Sequence, residues 1–185
     1  MKLSFRILQQ LIENKNKDYT IRELSKILKT DYKNTYDAIQ SIKESICINK
    51  RGNASYIRYK PILTNDVYFV ETSRKNTLHK KLDIVREDIN AINPFVIIIL
   101  FGSYAKDTQT KHSDIDLCLI HNNEDTIKQT QTRLTNNPQV ELHTFHYKEF
   151  LAMIQSTQFS VGKKIVEEGI ILKNIELYYA LLNHG

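Results

Sequence analysis

The sequence is short of cysteine, has no long apolar run, and contains no repeated or low-complexity segment. Its two cysteines, Cys47 and Cys118, lie far apart and form no Cys-x-x-Cys pair. They give no disulfide framework, and the expectation is a pair of reduced, buried thiols in a cytoplasmic protein. No stretch approaches the length of a membrane span, so no membrane partner is expected. The amphipathic start MKLSFRILQQ lacks the apolar region of a signal peptide. What is present is ordinary for a soluble globular chain: 41% hydrophobic and 25% charged residues. A length of 185 residues suits one ordinary domain or two small ones.

The charge is uneven. Residues 1–66 carry 13 Lys and Arg against 7 Asp and Glu, a net +6, whereas residues 67–185 carry 13 against 14, a net −1. A basic first third on a near-neutral remainder points to two parts with different partners. In the first part, Ile7, Leu8, Leu11 and Ile12 recur at helical spacing. Thr20 and Glu23 fit a capping box ahead of a second helix. A third helix is expected over about Tyr32–Ser45, with Tyr36, Ile39 and Ile42 inward. The runs either side of Lys50-Arg51-Gly52-Asn53 read as a β-hairpin. Three short helices and a hairpin resemble a winged helix-turn-helix. That resemblance makes the third helix the recognition helix, with Lys33, Asn34 and Gln40 outward and Lys50, Arg51 and Arg58 on the wing. Asn and Gln read adenine edges, and Lys and Arg neutralise phosphates of double-stranded DNA. Against this stands Asp37 on the same face. The bland alternative is a solvated face on a protein-docking or dimerisation module.

The segment Pro61–Ser73 has no clear pattern, and Val67–Glu71 is compatible with a strand or with the start of a helix. A helix is expected over Asn76–Ile92, with Leu78, Leu82, Val85, Ile89 and Ile92 on one face, as sheet packing or as a homodimer seam. Pro94 ends it. Phe95–Phe101 is a continuous apolar run suited to a strand buried on both faces. Gly102 and Ser103 follow, a turn where backbone can approach a phosphate and a hydroxyl can contact it. Ten residues intervene before Asp114 and Asp116, which share a strand face because they are two apart. Adjacent carboxylates repel and call for cations, and such oxygen ligands suit Mg²⁺ held jointly with substrate phosphates. Val140–Phe145 reads as a further strand, with Glu141, His143 and Phe145 on one face. Helices are expected over Tyr147–Ile154, over Val161–Glu168 with Gly169 as a left-handed terminator, and over Ile175–Leu182.

Gly-Ser, ten residues, then Asp-x-Asp, all after a hydrophobic strand, resembles the signature of the DNA polymerase β-like nucleotidyltransferase superfamily, and most closely its minimal nucleotidyltransferase, antitoxin-like branch. The segment EEGIILKN adds to the likeness. The resemblance implies an α+β chain: a winged helix-turn-helix over 1–66, a linker and connecting helix over 67–93, and a small nucleotidyltransferase domain over 94–185, a mixed sheet with flanking helices. It implies that Asp114, Asp116 and Glu141 are catalytic and bind Mg²⁺ or Mn²⁺. Gly102, Ser103 and Lys106 or Lys111 bind ATP or another nucleoside triphosphate. Glu141 stands where relatives more often have Asp, and Lys106-Asp107 stands where many have Arg-Gly. His112, His143 and His146 lack a conventional metal spacing and read as bystanders. A tyrosine such as Tyr104 is an acceptor in principle, but a packed residue is the simpler reading. The implied activity is NMP transfer, with AMP from ATP as the leading case, to a hydroxyl of a protein or small molecule. A helical toxin-like protein is the implied partner of an antitoxin. Small-molecule transferases of the aminoglycoside-modifying kind usually carry a larger helical C-terminal domain. A DNA-binding regulator that senses nucleotide with weak catalysis is the reading from another class.

Overall fold

The computed structural model describes residues 1–78 and 82–184, and the chain divides into two compact units, Met1–Val70 and Glu71–Gly185. In the first unit, α1 (Leu3–Glu13) buries Ile7, Leu8, Leu11 and Ile12, one helical face. The short strand β1 (Tyr19–Thr20) leads into α2 (Ile21–Ile27), whose start is closed reciprocally. Glu23 N donates to Thr20 Oγ1 at 3.2 Å, and Thr20 N donates to Glu23 Oε2 at 2.7 Å. α3 (Tyr32–Ser41) is capped by Asp31, and a hairpin of β2 (Ile46–Arg51) and β3 (Ala54–Tyr59) follows. The sheet order is β1-β3-β2, antiparallel throughout, and Gly52 takes the positive φ of 59° that the hairpin turn requires.

Tyr36, expected inward, is 45% exposed, whereas Thr35 and Ile39 are buried. The inward stripe of α3 keeps the expected Ile39 and Ile42 and has Thr35 in place of Tyr36. It runs Thr35, Ile39, Ile42, and Thr35 tolerates burial because its hydroxyl donates to Asp31 O at 2.7 Å. The unpatterned segment after the hairpin resolves as a helix: α4 (Asn65–Asn76) includes Val67–Glu71, and the division between the two units falls inside it.

The second unit contains α5 (Asp83–Asn90), β4 (Ile97–Leu100), α6 (Gly102–Ala105), β5 (Ile115–Ile120), α7 (Glu124–Leu134), β6 (Val140–Phe145), α8 (Tyr147–Gln155), α9 (Val161–Glu168), β7 (Ile170–Lys173) and α10 (Ile175–His184). The single helix expected over 76–92 is observed as α5 alone. Asn76 closes α4, and residues 79–81 of that stretch lie outside the described residues. Leu82, Val85, Ile89 and Ile92 join the core rather than standing free as a seam. The sheet order is β6-β5-β4-β7. β4 pairs antiparallel with β5 and β7, and β5 pairs parallel with β6, so the sheet is mixed. All four residues of β4 are buried, as its unbroken apolar sequence requires of a strand covered on both faces. Phe95, at the start of the apolar run, is exposed and precedes the strand. Cys47 and Cys118 are free thiols, and burial pushes the Cys118 thiol far above its ordinary range. No helix among the described residues is long and apolar enough to cross a membrane.

A buried polar network lies in the same unit. Glu71 is fully buried; its Oε2 accepts from Arg74 Nη1 at 2.8 Å and its Oε1 from Tyr179 Oη at 2.9 Å. Arg74 Nη2 reaches Gly169 O at 3.4 Å. Loss of Arg74 would leave the buried Glu71 carboxylate without its ion-pair partner.

Gly169 is not the left-handed terminator expected. Its φ of −66° and ψ of 148° are extended, and the chain passes directly from α9 into β7. The glycine is required by packing, because a Cβ there would stand 2.4 Å from Ile165 O and 2.6 Å from Ile99 Cγ2. Gly169→Ala is therefore expected to destabilise the second unit by about 1–3 kcal/mol through overpacking. Chemical denaturation of wild type and variant measures this, and an unchanged midpoint would refute the packing account.

Candidate active site

The site begins where β4 ends. Phe101 N donates to Asp116 O at 3.0 Å, which fixes the end of β4 against the start of β5. The next residue, Gly102, has φ 71° and opens α6. A Cβ on Gly102 would lie 2.0 Å from Asp116 Oδ2. Only glycine admits both the positive φ and the carboxylate beside it. Ser103 follows, half-buried, and its carbonyl accepts from Thr108 N at 3.0 Å, closing the turn out of α6. Tyr104 is buried in the core, in keeping with a packing role.

The parallel pairing of β5 and β6 places Asp116 directly opposite Glu141, and Cys118 opposite His143. Side chains alternate along each strand, so Asp116, Glu141 and His143 share one face. One ligand atom from each lies within 4.8 Å of the other two. His143 Nε2 is 3.2 Å from Glu141 Oε1, and the His143 ring meets Phe101 edge-on, 5.4 Å between centroids. His143, a bystander by its spacing, thus sits inside the cluster. Asp114 precedes the first residue of β5 and is exposed, and it is not among the side chains that close to within this mutual distance.

Asp116 is the strained member electrostatically. Burial holds its carboxyl above the usual carboxylate range, the Glu141 and Asp114 charges push the same way, and Lys164 and His143 partly offset them. Lys164 escaped the sequence reading. It lies on α9, half-buried, with its ammonium 5.9 Å from the centre of the Phe101 ring. One turn further along α9, Glu168 Oε1 takes Lys106 Nζ at 2.6 Å. That pair links the end of α6 to α9, with the Lys106 side chain still half-exposed. Lys111 and Asp107 are exposed, Asp107 with a left-handed φ of 56°. His112 is exposed, and His146 Nε2 lies 3.0 Å from Glu124 Oε1. Two carboxylates and an imidazole closing on one point, with one acid raised by burial and like charge, suit a divalent cation.

In the first unit, Lys33 and Lys50 are exposed and Gln40 is half-buried. Asn34 donates from its side chain to Asp31 Oδ2, the cap of its own helix. Arg51 Nη2 and Arg58 Nε each lie 2.7 Å from an oxygen of Asp18, and the Arg58 hydrogen bond leads in holding that carboxyl below its usual range.

A family model described as a nucleotidyltransferase domain matches residues 78–172, just over half of the chain. No curated protein matches. Among solved structures, a chain from a crystal structure of a toxin–antitoxin with AMP-PNP is similar at 18% identity, over 56% of this chain and 80% of that one, with a TM-score of 0.36. That likeness is too distant to add to the geometry.

The raised Asp116 carboxyl has a consequence for stability. Its ionisation costs the folded state stability as pH rises through its folded-state value, and the cost is absent below the ordinary carboxylate range, where it is protonated folded or unfolded. Asp116→Asn is expected to raise the Tm of the metal-free protein at neutral pH, with the difference fading at acid pH. Thermal melts in chelator across a pH series check this; a lower Tm for the variant at neutral pH refutes it.

Proposed function

The chain belongs to the nucleotidyltransferase domain family, and from that premise we propose that it is a metal-dependent enzyme moving AMP from ATP to a hydroxyl of a protein or small molecule. The observation that carries this reading is the in-register pair of Asp116 and Glu141 beside the Gly102 backbone, all within the matched span. In the proposed reaction an acceptor oxygen attacks the α-phosphorus. The new O–P bond forms as the bond to the β-phosphate breaks, and pyrophosphate leaves. Asp114 and Asp116 hold the cation, Mg²⁺ or Mn²⁺, with Glu141 as a further ligand or as the base that takes the acceptor proton. A bound cation supplies the charge that stabilises attacking and leaving oxygens. Ser103 and the Gly102 backbone meet the triphosphate, with Lys111 as an outer contact. Lys164, whose charge acts on Asp116, is a further cation for the developing charge, and Lys106, half-exposed beside Glu168, is a second contact for the triphosphate.

The resemblance to minimal nucleotidyltransferases supplies the finer reading, an antitoxin whose acceptor is a helical toxin-like protein. The assay incubates full-length protein with Mg²⁺ or Mn²⁺ and each labelled nucleoside triphosphate, with and without cell extract. Label from ATP is expected to pass to an acceptor. Asp116→Asn and Asp114→Asn are expected to abolish this, and Glu141→Gln to slow it by at least about 10²-fold. Full activity in either aspartate variant refutes the assignment.

We read the first unit as a winged helix-turn-helix on the strength of its three helices and the β2–β3 hairpin, and its exposed Lys33 and Lys50 favour a second reading, a DNA-binding regulator. Phosphate contacts release counterions, so such binding should weaken steeply with salt. Gel-shift titrations of the full chain at two salt concentrations are expected to show salt-sensitive binding that Lys33→Ala and Lys50→Ala weaken on all sequences alike. No salt-sensitive binding leaves the unit a docking or dimerisation module and removes the regulator reading.

A further inference from the structure

We propose that His143 is itself a metal ligand beside Asp116 and Glu141, so that an imidazole joins the carboxylates of the centre and the site prefers Mn²⁺ to Mg²⁺. The inference rests on the nucleotidyltransferase reading for the presence of a metal, and goes beyond it in the ligand and in the choice of ion.

Three observations carry it. First, one ligand atom from each of Asp116, Glu141 and His143 lies within 4.8 Å of the other two. Second, the separation between His143 Nε2 and Glu141 Oε1 is 3.2 Å. Two donors at about 2.1 Å from one octahedral ion, at right angles, lie about 3.0 Å apart. The spacing thus suits adjacent ligands of one ion with little adjustment. Third, the positions are fixed by the backbone. Glu141 and His143 alternate onto the face of β6 that Asp116 occupies on β5, and the edge of Phe101 limits how the imidazole turns. The ring is held where a ligand needs to be, on a rigid strand rather than a loop.

The chemistry of the donors then decides the ion. Mg²⁺ takes oxygen donors almost alone and keeps its waters, whereas imidazole nitrogen raises affinity for first-row transition ions. Mn²⁺ accepts carboxylate oxygen and imidazole nitrogen together.

The test uses the full chain without nucleotide, so that histidine is the natural source of a nitrogen ligand. Mn²⁺ binding is measured by the loss of the free-ion EPR signal, and bound Mn²⁺ is examined by pulsed EPR. A ¹⁴N modulation is expected in wild type, switching to ¹⁵N when the protein is grown on ¹⁵N-histidine. Mg²⁺ is expected to displace Mn²⁺ only in large excess. His143→Gln should lose the nitrogen signal and at least about tenfold in Mn²⁺ affinity, a loss that even a residue supporting a ligand incurs. The signal, not the affinity, separates ligand from support. Bound Mn²⁺ without nitrogen modulation, modulation that survives His143→Gln, Mg²⁺ competing at parity, or no Mn²⁺ binding would each overturn the inference. The isotope switch needs no variant, so a poorly folding His143→Gln does not blunt the test. If nucleotidyl transfer proceeds with Mg²⁺ while the nitrogen signal is absent, only this inference fails; if no nucleotide and no metal supports transfer, the functional reading fails with it.

Discussion

Two carboxylates held side by side on parallel strands are the constraint around which the second unit is arranged. Parallel pairing fixes Asp116 against Glu141 by backbone hydrogen bonds, so neither can withdraw from the other by a shift of register. The repulsion is deepened by partial burial of Asp116. The surroundings answer it with backbone rather than bulk. Gly102 yields the space a side chain would fill, and Lys164 and His143 supply positive or proton-bearing groups nearby. The same crowding that costs the folded chain stability is what makes the place suited to a cation.

Much of this was legible in the sequence because it depends on local periodicity. An unbroken apolar strand and a glycine where the chain turns mark the place of Gly102, and alternation gives Asp116 its face, whereas the place of Glu141 beside them was implied by the family resemblance. His143 was on the right face by alternation along β6, but its closeness to Asp116 depends on the cross-strand register. Lys164 is further from reach still, since α9 brings it back across the sheet and no spacing near the motif marks it. Asp114 stands just before β5, which begins at Ile115, so its place beside Asp116 rests on residue spacing rather than on the pleat, and its charge still acts on Asp116. Gly169 and Tyr36 depart from expectation for related reasons. A glycine after a helix has two physical explanations, backbone hand and close packing, and the sequence does not separate them. In α3 the choice between Thr35 and Tyr36 for the buried stripe turned on a hydroxyl satisfied within the helix.

In the first unit, formal charge and available charge differ. The excess of Lys and Arg over acids is real, but Arg51 and Arg58 converge on the single carboxylate of Asp18. Their role in holding the β2–β3 hairpin to the segment before β1 is visible, and any contact with a phosphate lattice competes with it. Asn34, similarly, spends its amide on its helix cap. The exposed residues of α3 include Lys33 and Asp37 beside two outward tyrosines, Tyr32 and Tyr36.

The buried network of Glu71, Arg74 and Tyr179 bears on where this catalytic unit begins and ends as a piece of protein. The span that carries the family likeness starts at residue 78 and stops at 172. Glu71 and Arg74 lie before that start, and Tyr179 lies beyond that stop, yet they complete one another's hydrogen bonds and hold the carbonyl of Gly169 at the head of β7. A fragment cut to the recognisable signature, or one beginning at residue 76, would discard the buried ion pair of Glu71 and Arg74. The compact second unit, Glu71–Gly185, is therefore wider than the motif-bearing segment at both ends, and a boundary drawn from likeness alone would sever the clasp that closes it.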